Sequence, residues 1–260
     1  MKPHFLEICC GDLRSLHAAR EGGADRIELC SALSEGGMTP SIGLIREAAQ
    51  SGIREIKVLI RPRSGDFLYS EEEISLMEED ITEAVRAGAT GVVIGCLKAD
   101  GHINLIHNYR LIQAARKASD RYIGVTFHRA FDVSANPLIS LEDIIELGCD
   151  CLLTSGQAKN ATEGKELLRE LKQRACGRIK IMAGAGVTPA NAVDILRFTG
   201  VDGIHSTARE AYESEMIFRR PAVPMGACGT DEFVTLRTSP RVVSRLKGII
   251  DNLSKSRFSI

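Results

Sequence analysis

Short apolar runs recur along the chain, each entered a few residues after a glycine. Gly23-Ala24-Asp25 leads into Arg26-Ile27-Glu28-Leu29, Gly52-Ile53-Arg54 into a run over 55–60, and Gly88-Ala89-Thr90 into Gly91-Val92-Val93-Ile94. The phrase returns at Gly148-Cys149-Asp150 before Cys151-Leu152-Leu153 and at Gly200-Val201-Asp202 before Gly203-Ile204-His205. A glycine ending a helical pattern can take the left-handed conformation, and here a strand follows each time, so every repeat reads as a helix-to-strand joint. The wider gaps hold runs at 122–127 and 178–183, and a run over 4–9 opens the series, which makes eight candidate strands. Helix starts are expected at Thr39-Pro40, from Ser70 to Glu73, from Ser140 to Asp143 and at Thr188-Pro189, where a small polar residue precedes proline or an acidic first turn. Eight such units at a spacing of roughly 30 residues predict an α/β fold, a closed (β/α)8 TIM barrel.

The rival architecture is a doubly wound open sheet, whose strands, buried on both faces, read as near-continuous apolar runs. Here alternate strand positions are polar. The period of two turns Glu7 and Cys9 inward on the first strand, Glu28 and Cys30 on the second, and Lys57 and Arg61 on the third, with Arg63 just past its end. The fifth supplies Thr126 and His128, followed by Arg129 and Asp132; the seventh supplies Met182 and the eighth His205. On the sixth, Thr154 and Ser155 are alternatives. These positions fall towards the C-terminal strand ends, where barrel enzymes build their sites. No linker interrupts the series, so a single domain over 1–260 is expected. An extended segment after the eighth strand, 210–239, holds Phe218-Arg219-Arg220-Pro221 and Met225-Gly226-Ala227-Cys228-Gly229; a cap over the mouth and a subunit contact are its two candidate roles, the second leaving a homo-oligomer open.

Composition narrows the partners. Apolar and charged fractions of 44% and 26% are those of an ordinary globular protein, able to bury a full core. Lys and Arg (33) nearly balance Asp and Glu (34), so no global field holds nucleic acid or an anionic membrane. Neither a signal sequence nor a run of spanning length is visible, which predicts a cytoplasmic protein whose eight cysteines are reduced.

The inner residues admit two chemistries. A carboxylate on a strand face needs a polar cavity, a partner charge or a ligand. Arg61, Arg63 and Arg129, with the loop Gly184-Ala185-Gly186, Ser155 and Ser206, suit a small phosphate or carboxylate, over which Glu7 or Glu28 exchanges protons with His128 or His205. A buried ion network of Glu7, Glu28, Lys57, Arg61 and His128 is the structural alternative, and a lysine paired to Glu7 is preferred to an imine-forming one. The thiols of Cys9 and Cys30 suit Cu(I) or zinc, with His128, His205 and Met182 as further donors. Neighbouring carboxylates disfavour thiolates and no Cys-x-x-Cys spacing occurs, so core packing is the competing role. Cys96, Cys149, Cys151 and Cys176 are expected as filler, with Cys228 the most exposed, and Cys10 packs towards a helix.

Several stretches resemble one family. Arg26-Ile27-Glu28-Leu29-Cys30-Ser31 with Ser34-Glu35-Gly36-Gly37, Arg61-Pro62-Arg63-Ser64-Gly65-Asp66-Phe67, Asp100-Gly101-His102-Ile103, Thr126-Phe127-His128-Arg129-Ala130-Phe131-Asp132 and Leu153-Thr154-Ser155-Gly156 resemble the CutC copper homeostasis proteins, in order from the first strand to Met225-Gly226. The resemblance implies a cytosolic TIM barrel concerned with copper binding and copper tolerance, a cleft of Glu7, Glu28, Arg61, His128, Arg129 and His205, and copper ligation by Cys9 and Cys30. A copper buffer does not need several arginines at one mouth, so an enzyme of isomerase, lyase or hydrolase type acting on a small anionic metabolite is the alternative function.

Overall fold

The structure, a computed structural model, describes residues 4–220, 223, 231 and 233–256. Eight parallel strands close on themselves: β1 Phe5–Cys10, β2 Arg26–Leu29, β3 Glu55–Leu59, β4 Gly91–Ile94, β5 Gly124–Phe127, β6 Cys151–Thr154, β7 Lys180–Ala183 and β8 Gly203–Ser206. β1 pairs with both β2 and β8, which completes the barrel expected from the repeat. Around it run α1 Leu13–Glu21, α2 Ile42–Gln50, α3 Glu71–Arg86, α4 Leu105–Lys117, α5 Pro137–Glu146, α6 Lys165–Ala175, α7 Ala192–Thr199 and α8 Pro240–Ser256.

The main core lies between strands and helices. Leu6, Ile8 and Cys10 of β1, with Ile27 and Leu29 of β2, face outwards into it and are fully buried. Each such aliphatic side chain contributes about 1.5–3 kcal/mol by leaving water. Inside the barrel sit two smaller apolar groups, Cys9, Cys30, Leu59 and Val93 in one and Cys151, Leu153 and Met182 in the other. Lys57 crosses the interior over Gly91 and Gly124, where a Cβ would stand 2.7 Å from its Cδ and 3.0 Å from its Nζ respectively.

The joints recognised in the sequence have a physical task at the N-terminal end of the barrel. The side chains of Asp25, Asp150 and Asp202 accept the backbone N–H of Leu6, Val125 and Ile181, each on the preceding strand, and Thr90 does the same for Ile56. The polar residue before each of these strands thus satisfies a strand-start donor that the ladder would leave unpaired.

Helix starts differ in detail from the sequence reading. Ser70 and Glu73 form the expected reciprocal cap of α3. At α2 the cap is Ser41, one residue beyond Thr39-Pro40. α5 starts earlier than Ser140, because Asn136 accepts from Leu138 and Ile139 and Pro137 supplies a preset first helical residue. Thr188 lies before α7, its N–H held by Asn191. The extended segment contributes an antiparallel pair, β9 Arg209–Glu213 and β10 Val234–Thr238. Pro221, the stretch Met225-Gly226-Ala227-Cys228-Gly229 and the exposure expected of Cys228 lie outside the described residues. Cys176, expected as filler, is exposed; Cys9, Cys10, Cys30, Cys96, Cys149 and Cys151 are buried. Among the described residues no helix is long and apolar enough to cross a membrane.

Candidate functional site

A cleft of about 660 Å³ opens at the C-terminal mouth, lined from the ends of β1, β2, β3, β6 and β8 and by the loops after β2, β3, β5, β7 and β8. Its floor on one side is an ion network. Strand register sets Glu7 beside Arg26 on β2 and beside His205 on β8. Glu7, fully buried beneath the cleft, meets Arg26 Nε at 2.7 Å and accepts from His205 Nδ1 at 2.8 Å. Burial alone would raise its carboxyl, but the Arg26 and His205 charges bring it down to about 2. An ionised carboxylate can only accept, so His205 Nδ1 carries the proton and Nε2 is turned to Glu28 Oε2, 3.7 Å away. Burial works against charge on His205, yet Glu28 and Glu7 raise its pKa above the ordinary value. Burial, with Glu7 adding repulsion, raises the Glu28 carboxyl despite the pull of His205.

Above this floor the Cys9 Sγ lies 3.4 Å from Cys30 Sγ. The hydrogen bond to Cys30, burial and the Glu28 charge push the Cys9 thiol well up, so it keeps its proton at ordinary pH. Cys9, Glu28 and His205 each offer a ligand atom, and these atoms lie within 4.8 Å of one another. A thiol, an imidazole and a carboxylate together fit a soft or borderline cation. Glu7 behind His205 supplies the outer carboxylate that fixes the tautomer of a ligating histidine.

The opposite wall, from β3 and β5, is different. The Arg61 guanidinium donates to the carbonyls of Glu35, Gly37 and Gly65 at 3.1, 3.0 and 2.7 Å, and its Cζ lies 5.1 Å from the centre of the Phe67 ring. Gly36, at φ +86°, allows this approach, since a Cβ there would come within 2.9 Å of Arg61 Nη1. His128 Nδ1 accepts from the N–H of Ala130, which puts the proton of the neutral ring on Nε2. Burial, reinforced by the Arg61 charge, lowers His128 to about 3, so the ring is neutral at ordinary pH.

The inner residues read from the sequence separate accordingly. Cys9, Cys30, Glu28, Arg61, His128, Arg129, Gly186, His205 and Ser206 all border the cleft. Arg63 lies outside it, held by Glu73, Asp66 and the Leu68 carbonyl. Ser155 and Thr154 both donate to Asp132, which also takes Arg129 at 2.7 Å, so both alternatives at the end of β6 serve one carboxylate that itself borders the cleft. Gly184 makes room for Leu153 and His205. Lys57 pairs with Glu55 at 3.3 Å, and the close partner of Glu7 is Arg26. The sequence reading did not place Arg26 inside, although it shares the face of Glu28 and Cys30; nor did it include Phe67, in the loop after β3, or Arg209, the first residue of β9, both of which border the mouth.

Comparison with known proteins agrees with this arrangement of strands and motifs. The sequence profile of the CutC family matches residues 4–210. The family protein CutC of Vibrio vulnificus (strain CMCP6) is 46% identical over 229 residues, covering 88% of this chain and 90% of that protein. That of Vibrio cholerae serotype O1 (strain ATCC 39541) is 46% identical over 234 residues, covering 90% and 91%. The solved structure of CutC from Streptococcus agalactiae superposes with a TM-score of 0.73 at 33% identity, over 78% of this chain and 98% of that one. With a profile spanning most of the barrel and relatives this close over nearly their whole length, the chain belongs to the CutC family.

Proposed function

We propose that the protein handles copper as Cu(I), bound at the cleft floor by Cys9 and Cys30 with His205 and Glu28 beside them. The name of the Streptococcus agalactiae relative proposes a part in copper homeostasis, and the family membership makes that the first reading to test. The observation that carries it is the convergence of a thiol, an imidazole and a carboxylate within 4.8 Å, with a second thiol 3.4 Å from the first. Thiol and imidazole donors favour Cu(I) over hard cations, and buried thiols that have to lose protons on binding make uptake pH-dependent. Glu28 offsets the positive charge that the ion and the nearby guanidinium groups bring to the mouth.

The test is anaerobic competition for Cu(I) against a chromophoric chelator, with mass spectrometry for stoichiometry. Cys9→Ser with Cys30→Ser should abolish tight uptake, and His205→Gln should weaken it by roughly ten- to a hundredfold or more. Unchanged stoichiometry and affinity in the double variant remove the thiols from the site and overturn the reading.

A further inference from the structure

The β3–β5 wall carries a feature that metal binding does not use. Arg61 and His128 are 7% and 5% exposed, and both border the cleft. Arg61 donates to backbone carbonyls and lies over the Phe67 ring; among the described residues it meets no carboxylate. Its three bonds use three of its five N–H donors. His128 Nε2 is buried without a hydrogen-bond partner. Because Nδ1 is the acceptor of the Ala130 N–H, Nε2 is a donor left with nothing to donate to. A buried cation without a counter-charge and a buried donor without an acceptor are both costly, and native folds rarely keep either without a use. Their deficits are of one kind: each needs an electron-rich oxygen.

The charge inventory of the cleft points the same way. Arg61, Arg129 and Arg209 face two carboxylates, Asp132 and Glu28. Asp132 is taken by Arg129, Thr154 and Ser155, and Glu28 faces His205. Arg209, at the base of β9, meets no carboxylate among the described residues. We infer that the cleft is a binding site for a small molecule bearing an oxyanion, a carboxylate or phosphate group, received by Arg61 and His128, with Arg209 contributing from the opposite rim. His128 enters as a neutral donor, which suits an anion that Arg61 has already attracted: a ring kept uncharged can give its N–H without the desolvation cost of a second buried cation. The volume, about 660 Å³, is that of a metabolite-sized pocket, far beyond what a bare ion requires.

This inference stands apart from copper, and its experiment is run on the full-length, reduced, metal-free protein. Inorganic phosphate and malonate are titrated calorimetrically, with sodium chloride at matched ionic strength as control. Saturable binding of at least one probe is expected, and the preference between them assigns the group as phosphate or carboxylate. His128→Gln and Arg61→Lys should each weaken that binding roughly tenfold, since the first displaces the donor and the second keeps the charge but loses the planar fork. Arg209→Ala, on an exposed strand, provides a variant whose folding does not depend on the wall and should weaken binding severalfold. No saturable binding of either probe above the chloride control, or binding indifferent to Arg209→Ala and to whichever wall variants fold, overturns the proposal.

Discussion

Two histidines stand on opposite walls of one mouth, and their surroundings push them in opposite directions. His205, between Glu7 and Glu28, is raised above its ordinary pKa; His128, buried beside Arg61, is lowered to about 3. His128 is buried and the His205 side chain is only 12% exposed, so burial alone does not separate them. The difference lies in the sign of the nearest charge, and it divides the cleft into a carboxylate-rich wall suited to cations and an arginine-rich wall suited to anions.

The comparison breaks most readily at Glu7. Glu7→Gln leaves Arg26 buried beside a neutral amide and frees His205 Nδ1, and a loss of about 3–5 kcal/mol is expected in urea unfolding. A loss below about 1 kcal/mol would show that the charge on Arg26 is met elsewhere. Glu7 itself, lowered in the fold, contributes stability above its unfolded pKa that disappears as pH falls from about 4.5 towards 2.

His128 gives the next largest effect. Its folded pKa lies below the unfolded value of about 6.5, so the unfolded chain takes up the proton first and stability falls as pH drops from about 6.5 towards 3. The slope attributable to this one group rises from half of about 1.4 kcal/mol per pH unit at pH 6.5 towards that limit, hence about 1.5 kcal/mol between pH 6.5 and 5. His128→Asn should remove that slope; parallel stability curves for the two proteins over this window would contradict the assignment.

His205 should show the opposite sign. Raised in the fold, it contributes stability that is complete below about pH 6.5 and is lost as pH rises through its folded pKa. His205→Gln is expected to flatten the alkaline side of the curve and leave the slope assigned to His128 in place. The smallest effect belongs to Glu55, a half-exposed second carboxylate 3.9 Å from Arg26 and 3.3 Å from Lys57. Glu55→Gln should cost under about 1 kcal/mol, since water already screens it. A larger loss would move the counter-charge of Arg26 from Glu7 to Glu55.

The barrel could be read from the sequence because its joints repeat and its strands alternate. Glu7 with Cys9 and Glu28 with Cys30 follow from the period of two alone. Arg26 obeys the same period, yet as the first residue of β2, beside Asp25, it reads as part of the polar joint. Arg61 was visible as an inward cation; that its donors go to the carbonyls of Glu35, Gly37 and Gly65 depends on loop conformation, which no periodicity encodes. The opposed behaviour of His205 and His128 was equally hidden, because it depends on which strands are neighbours: β8 borders β1 and its Glu7, whereas β5 lies between β4 and β6. The β9–β10 pair escaped because its residues are largely exposed on both faces and carry no alternation.

The side-chain clasps at the N-terminal end of the barrel have a consequence for how this scaffold can change. Asp25, Thr90, Asp150 and Asp202 fasten neighbouring staves at the far end from the cleft, the aspartates through one strand-to-strand side-chain bond each and Thr90 through two. Alignment of the staves is therefore anchored at one rim while the candidate site lies at the other. Loops around the opening can be exchanged, lengthened or retuned for another guest without unfastening the hoop beneath them.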